Sequence, residues 1–376
     1  MAQTAHYQAQ LMHHATGETL DVLTDWISLS YVQNVNGLGW FDLELPGYFE
    51  LGLEKKFKDW RLIVWREIIG SRRYIDFAGF VRDPGRSYNH GVKRTHLAGF
   101  DYNEILNRRI IAYFANSAYA AKSGLADDVM KELVYENLGA GVTDALRDYS
   151  AYLSIQGDLG LGTTIRKRCA HDNLLKTLQS ISQNSRKTTA TATCFGVVPL
   201  GTGYQMEFRT KVGQWGMDHR HPDGVDGAVV FSTEFGNIVA ADQADKSAEE
   251  ITAIYGLGEG QRENRLITTV LDATRIASSA INRREAAYDN GNMAIAADLA
   301  DAARARLEEG QPQETFTFTT ADVEGCVLGV NYDLGDRVTV VDLYGQARDL
   351  HIIQKAVTIA QGGKETIDLK MGVWPA

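Results

Sequence analysis

At 376 residues the chain is too long for one compact core and long enough for two or three domains. Its 44% hydrophobic and 23% charged residues are ordinary for a globular protein, and no apolar run nears the roughly 20 residues that span a bilayer, which argues against membrane insertion. A formal net charge of -10 argues against a protein that grips nucleic acid through phosphate neutralisation, which needs a basic patch.

The first hundred residues read as strand after strand. In Trp26–Val32, Ile27, Leu29 and Tyr31 alternate with Ser28 and Ser30, and Phe41-Asp42-Leu43-Glu44-Leu45 has strict period two. Asn34-Val35-Asn36-Gly37 supplies a tight hairpin between them. Further strands are predicted at Arg61–Glu67, Tyr74–Val81 and Val92–Gly99, so this block reads as a barrel or sandwich. After Gly99 the texture turns helical. Asp101 can cap a helix carrying Ile105, Leu106 and Ile110, and Ala-rich sequence continues to about Tyr119. A second helix is expected at Ala126–Asn137, stopped by Gly139. A third, Asp172–Asn184, has Leu174, Leu175, Leu178 and Ile181 on one stripe.

Strands return at Ala192–Val198, Tyr204–Thr210, Ala228–Thr233 and Asn237–Ala241. A mixed stretch follows, with a strand at Leu266–Leu271 and helices near Ala273–Arg284 and Asn292–Glu308, the latter stopped by Gly310. The tail is strand-rich again at Thr315–Thr319, Arg337–Val341, Asp349–Val357 and Glu365–Met371. Runs of strands separated from runs of helices define a β-rich α+β chain.

Chemistry-bearing motifs are scarce. Gly157-Asp158-Leu159-Gly160-Leu161-Gly162 and Gly256-Leu257-Gly258-Glu259-Gly260 lack the flanking strand, helix and lysine of a phosphate loop and read as turns. Asp218-His219-Arg220-His221-Pro222-Asp223 is the one His/Asp cluster, but it is hedged by glycines like a hairpin loop; His13-His14 is no better a ligand pair. Cys169, Cys194 and Cys326 form no CxxC pair and read as reduced, buried thiols, and Cys169 with His171 is adjacency in sequence only. No GxSxG, HExxH or kinase signature is present. No catalytic, cofactor-binding or metal-binding residue is therefore expected, although 48 acidic residues leave paired carboxylates of a glycan-cleaving enzyme as an alternative.

The chain resembles the tail hub proteins of long non-contractile-tailed phages, which share a fold with the baseplate hub of contractile-tailed phages and part of the type VI secretion spike. The resemblance is carried by Trp26–Tyr31 through Val35–Gly39 into Phe41–Pro46, by Phe77–Val81, and by Ala98–Tyr102 with Ile105–Arg109. Gly216–Arg220 before Val229–Ser232 and Gly236-Asn237, Gly256–Gly260 with Arg262, and Tyr332–Val338 follow in the right order. It implies two small antiparallel β-barrels with inserted mixed α/β domains. The implied layout is a first barrel over 1–100, an α/β segment over 101–191, a second barrel begun at 192–241 and finished at 310–376, and an α/β insertion at 242–309. It further implies a structural virion protein at the phage tail tip: a homotrimeric hub, giving a six-barrel ring, through which DNA passes without specific binding. Its partners would be a distal tail protein or tail tube ring, a tail fibre or tip protein, and the tape measure protein. Any appended hydrolase or fibre domain is expected to be missing or on another chain. A carbohydrate-active or receptor-binding all-β tail protein is the alternative.

Overall fold

The computed structural model of the chain describes residues 5–48, 58–112, 119–186, 192–224 and 227–372. The N-terminal block contains β1 (Ala5–Met12), β2 (Thr19–Leu23), β3 (Ser28–Asn34), β4 (Trp40–Pro46), β5 (Arg61–Ile68), β6 (Arg73–Asn89) and β7 (Val92–Asp101). Next come α1 (Glu104–Asn107), β8 (Ala120–Leu125), α2 (Ala126–Leu138), β9 (Leu153–Ile155), β10 (Thr164–Cys169), α3 (Leu174–Asn184), β11 (Thr193–Leu200) and β12 (Gln205–Val212). Short β13 (Asp218–His219) and β14 (Val230–Phe231) lead into β15 (Ile238–Lys246). A small unit follows, of β16 (Ala253–Leu257), β17 (Ile267–Leu271), α4 (Ala273–Ala277), β18 (Glu285–Asp289) and α5 (Ala296–Glu309). The chain returns through β19 (Gln313–Thr320), β20 (Arg337–Val341), β21 (Ala347–Ala360) and β22 (Glu365–Gly372).

The two strand blocks form one 14-stranded sheet, whose main path runs β15-β19-β22-β21-β3-β4-β7-β6-β5-β1-β2, with β13, β14 and β20 beside it. This corrects the expectation of two separate closed barrels: no closed sheet occurs among the described residues. The reason is the length of β21. Its residues 347–351 pair with β20, its residues 354–360 pair with β3, and β22 runs along its other edge. A register shift between Ile352 and Gln354 marks the change of neighbour, the local bend that a bulge supplies. The apolar face is shared accordingly. Leu29 and Tyr31 of β3, Phe41 and Leu43 of β4, and Val357 and Ile359 of β21 all enter one core.

The period-two reading explains this face. Leu29 lies opposite Leu43 and Tyr31 opposite Phe41, all at most 1% exposed, while the intervening serines turn outward. In β5, by contrast, Leu62, Ile63 and Val64 are all fully buried. Leu62 and Val64 face the large core, and Ile63 packs with Phe80, Tyr102, Met206 and the helices of the mixed unit. A strand covered on both sides needs an unbroken apolar run, and that is what the sequence contains.

The mixed unit is seated through two asparagines. Asn36, at φ 57 in the β3–β4 turn, accepts the backbone N–H of Phe195 at 2.8 Å and donates to Ser182 Oγ at 3.0 Å. Asn103 accepts the N–H of Val197 at 2.8 Å and donates to the Gly37 carbonyl at 2.6 Å. Phe195 and Val197 are alternate residues of β11, so both side chains occupy the edge that β12 leaves free. Although the sequence reading assigns β11 and β12 to the start of the second barrel, they pair with each other and with β9, and Phe195 and Phe208 pack in the core of the mixed unit.

Other local differences have tertiary causes. The helix expected from Asp101 through Ile110 is one turn, Glu104–Asn107; residues 113–118 of the Ala-rich stretch after it lie outside the described residues, and Ala120–Leu125 is a strand paired with β10. Asn173 and its neighbours hold the chain beyond that turn, through Asn173 Nδ2 to the Asn107 carbonyl at 2.7 Å and Ile111 N–H to the Asp172 carbonyl at 2.8 Å. The expected helix to Arg284 stops at Ala277, where Asn282 Nδ2 donates to the Arg275 carbonyl, and 285–289 pairs in parallel with β16 instead. The strand expected over Ala228–Thr233 shrinks to Val230–Phe231, because Asn237 supplies the side-chain partners of the Val230 carbonyl and the Ser232 N–H.

Asp101 closes β7 and is buried, accepting the N–H of Asn103 at 3.1 Å. Burial raises its pKa to about 7, against the pull of the Gly39 and Asn103 N–H groups. Its folded value thus lies above the unfolded one, so its favourable contribution is complete below about pH 4 and is lost as pH rises through 7. Asp101→Asn keeps the acceptor and removes the charge. The variant's stability relative to the native chain should rise between about pH 4 and pH 8 in thermal melts, whereas a difference independent of pH would contradict this assignment.

Candidate functional site

The junction of the two strand blocks holds a buried ionic network. Leu62, Val64 and Arg66 follow one another at period two on the inward face of β5, and all three are fully buried. Arg66 Nη2 lies 3.0 Å from Glu365 Oε1 on β22 and 3.6 Å from Asp322. Its Nε donates to Tyr7 Oη at 2.8 Å and its Nη1 to the Leu328 carbonyl at 2.6 Å. Burial opposes the guanidinium charge, yet the surrounding phenols and carboxylates outweigh it and raise the pKa of Arg66.

Lys355 repeats the arrangement on β21. It shares the inward row with Val357 and Ile359, and its Nζ lies 2.6 Å from Asp76 Oδ1 on β6 and 2.8 Å from Asp333 Oδ1. Tyr31 Oη donates to the second oxygen of Asp76. Burial works against the Asp76 carboxylate, but Lys355, Tyr31 and Arg66 prevail and hold its pKa below the ordinary value. Strands β1, β3, β5, β6, β21 and β22 are thus tied through two cations.

Beside Lys355 opens a cleft of about 480 Å³. Trp215, Ile75 and Leu334 give it apolar wall, and Asp76, Asp333 and Asp336 give it carboxylates. The indole of Trp215 is pressed between two glycines: a Cβ on Gly335 would lie 2.6 Å from it and one on Gly196 3.1 Å. Asp336 accepts the N–H groups of Met217 and Asp333, both at 2.7 Å. Burial, with the nearby Asp333 charge, raises its pKa to about 6 despite those bonds.

The motifs singled out in the sequence are dispersed. His219 is buried, with Nδ1 2.7 Å from the Gly227 carbonyl and Nε2 3.6 Å from Asp336, whereas His221 is exposed and Asp218 is engaged by Arg220. His13 and His14 stack in an exposed turn, where His13 Nδ1 accepts backbone N–H groups. All three cysteines are buried, and burial pushes the thiol of Cys169 up to about 11 and that of Cys326 up to about 12, the reverse of an activated nucleophile. Gly256 and Gly258 serve close packing: a Cβ on Gly256 would lie 2.7 Å from Thr268, and one on Gly258 2.6 Å from the Met293 carbonyl. Asp127, Asp128 and Asp158 converge, which the sequence reading did not anticipate, but the ammonium of Lys131 already sits 3.0 Å from Asp127.

A long, mainly antiparallel sheet carrying mixed α/β units and locked by buried ion pairs is the fold of phage tail proteins. It superposes on the 43 kDa tail protein of prophage MuSo2 from Shewanella oneidensis with a TM-score of 0.57 at 13% identity, covering 98% of both chains. For the tail protein from Neisseria meningitidis MC58 the TM-score is 0.55 at 14% identity, over 97% of this chain and 96% of that one. A chain of the Francisella PdpA–VgrG complex gives 0.51 at 9% identity, over 98% of this chain and 57% of the other. At such identities the likeness is one of fold. A comparison with proteins of curated function found no match. In sequence, residues 14–373 match the siphovirus ReqiPepy6 Gp37-like proteins, and the chain belongs to that family. The resemblance to phage tail proteins drawn from the sequence is confirmed.

Proposed function

We propose that the protein is a structural subunit of a siphovirus tail, the homotrimeric hub at its distal end, without catalytic activity. The observation that carries this reading is the joining of two strand blocks into one sheet through β21 and β3. Each subunit then presents two sheet lobes in fixed relation, one on either side of β21, in place of the two barrels the resemblance implies. Three such subunits offer six lobes, matching a sixfold tube ring without six copies, through heterologous contacts that close cyclically. The two buried cations that tie the lobes suit a part that must hold its geometry under load. The net charge of -10 suits a wall past which DNA slides, since basic contacts would stall it by counterion release.

In this reading one rim of the ring meets a distal tail protein or tube ring, and the other a fibre or tip protein, with the tape measure protein ending at the hub. Antibody raised against the purified chain should label only the distal tail end of virions in electron micrographs. Label along the whole tube, on the capsid or nowhere on the particle would overturn the assignment.

A further inference from the structure

The cleft beside Lys355 has features that the ring does not require. Its volume of about 480 Å³ falls within the roughly 300–1,000 Å³ of ligand pockets. Three carboxylates line it: Asp76 and Asp333 share the one buried ammonium, that of Lys355, and Asp336 lies 3.6 Å from His219 Nε2. At the rim, Arg72 is drawn aside over the ring of Tyr74, its guanidinium carbon 4.5 Å from the centroid. The acceptor excess continues at Gln33 on β3, whose Oε1 is buried without a hydrogen-bond partner. A buried acceptor left unpaired costs free energy that an incoming donor would recover.

The apolar part is equally specific. Trp215 is immobilised by the backbone at Gly196 and Gly335, so its ring is a preformed wall. Met217 and Val330 stand at the mouth, 56% and 47% exposed, where they would cover the apolar neighbours of an inserted side chain.

We infer that this cleft receives an arginine side chain carried on an extended peptide segment of a partner protein. A guanidinium combines a planar fork of five donors, suited to a carboxylate and a neutral amide oxygen together, with flat faces that stack on an indole. An ammonium can satisfy the carboxylates, but it has no face to set against Trp215. Asp333 is the accessible carboxylate, its side chain 37% exposed, while Asp76 lies fully buried behind Lys355. The arginine would bind in this way whether or not the ring forms.

The test uses the full chain labelled with 5-fluorotryptophan, the Trp215 resonance being assigned by its loss in Trp215→Phe. Titration with the peptide acetyl-Leu-Arg-Leu-amide should move that resonance saturably. Replacing its arginine by the neutral isostere citrulline should weaken binding about tenfold or more, as expected for a lost charge-assisted hydrogen bond. Asp333→Asn should weaken the arginine peptide several-fold while leaving the melting temperature within about 2 °C, because Lys355 keeps Asp76 as partner. A Trp215 resonance unmoved up to about 5 mM peptide, or equal binding of the citrulline peptide, would overturn the inference.

Discussion

Lys355→Met should lower the melting temperature of the protein by on the order of 4–6 °C. The substitution keeps the length of the side chain and its apolar stem but removes the ammonium that lies 2.6 Å from Asp76. Asp76 is then a fully buried carboxylate with only the hydroxyl of Tyr31 and the distant Arg66 to stabilise it. Breaking a buried pair from one side costs about 3–5 kcal/mol, most of it the uncompensated charge that remains. Removing that charge as well, in Lys355→Met with Asp76→Asn, should recover much of the loss, since the amide oxygen can still accept from Tyr31. Calorimetry on the single and double variants decides the matter. A single variant within about 1 °C of the native chain would show that the pair contributes nothing to the junction.

Arg66→Leu should cost a comparable 3–5 kcal/mol or so, by a different route. Here one cation serves Glu365, Asp322, Tyr7 and the Leu328 carbonyl, so its loss leaves two neighbouring carboxylates repelling one another. Glu365 is 18% exposed and can recover some hydration, which places the expected cost toward the lower end of that range. The local signature is more informative than the total. Amide exchange should accelerate in β1, β5 and β22 together, because Arg66 bridges them, and should remain native-like in the small sheet of β16, β17 and β18. Loosening confined to β5 would contradict the bridging role.

The sequence announces the alternating strands well. Phe41–Leu45 and Glu365–Met371 lie wholly within β4 and β22, because half-buried strands expose their period directly. Helices α2 and α3 are legible for the same reason, the stripe of α3 being buried as its spacing implies. What local pattern cannot convey is the choice of neighbour. Nothing in Asp349–Val357 states that its strand runs on to Ala360 and pairs with both β20 and β3, so the union of the two blocks is invisible. The turn at Asn36 reads as a hairpin, yet its side chain is spent on β11, some 160 positions away. The ionic junction did leave a signal. Arg66 and Lys355 each extend an inward apolar row at strand period, Leu62–Val64–Arg66 and Lys355–Val357–Ile359, and a charge in register with a buried row implies a buried counter-charge. The identity of that counter-charge is set by topology alone.

The central claim, that one chain supplies two lobes of a distal ring, is tested most directly by an electron cryomicroscopy reconstruction of the tail tip. The expected map shows three copies of this chain around the tail axis, each contributing the lobes on both sides of β21, with an axial opening between them. Six copies in one ring, or density for the chain off the axis, would contradict it.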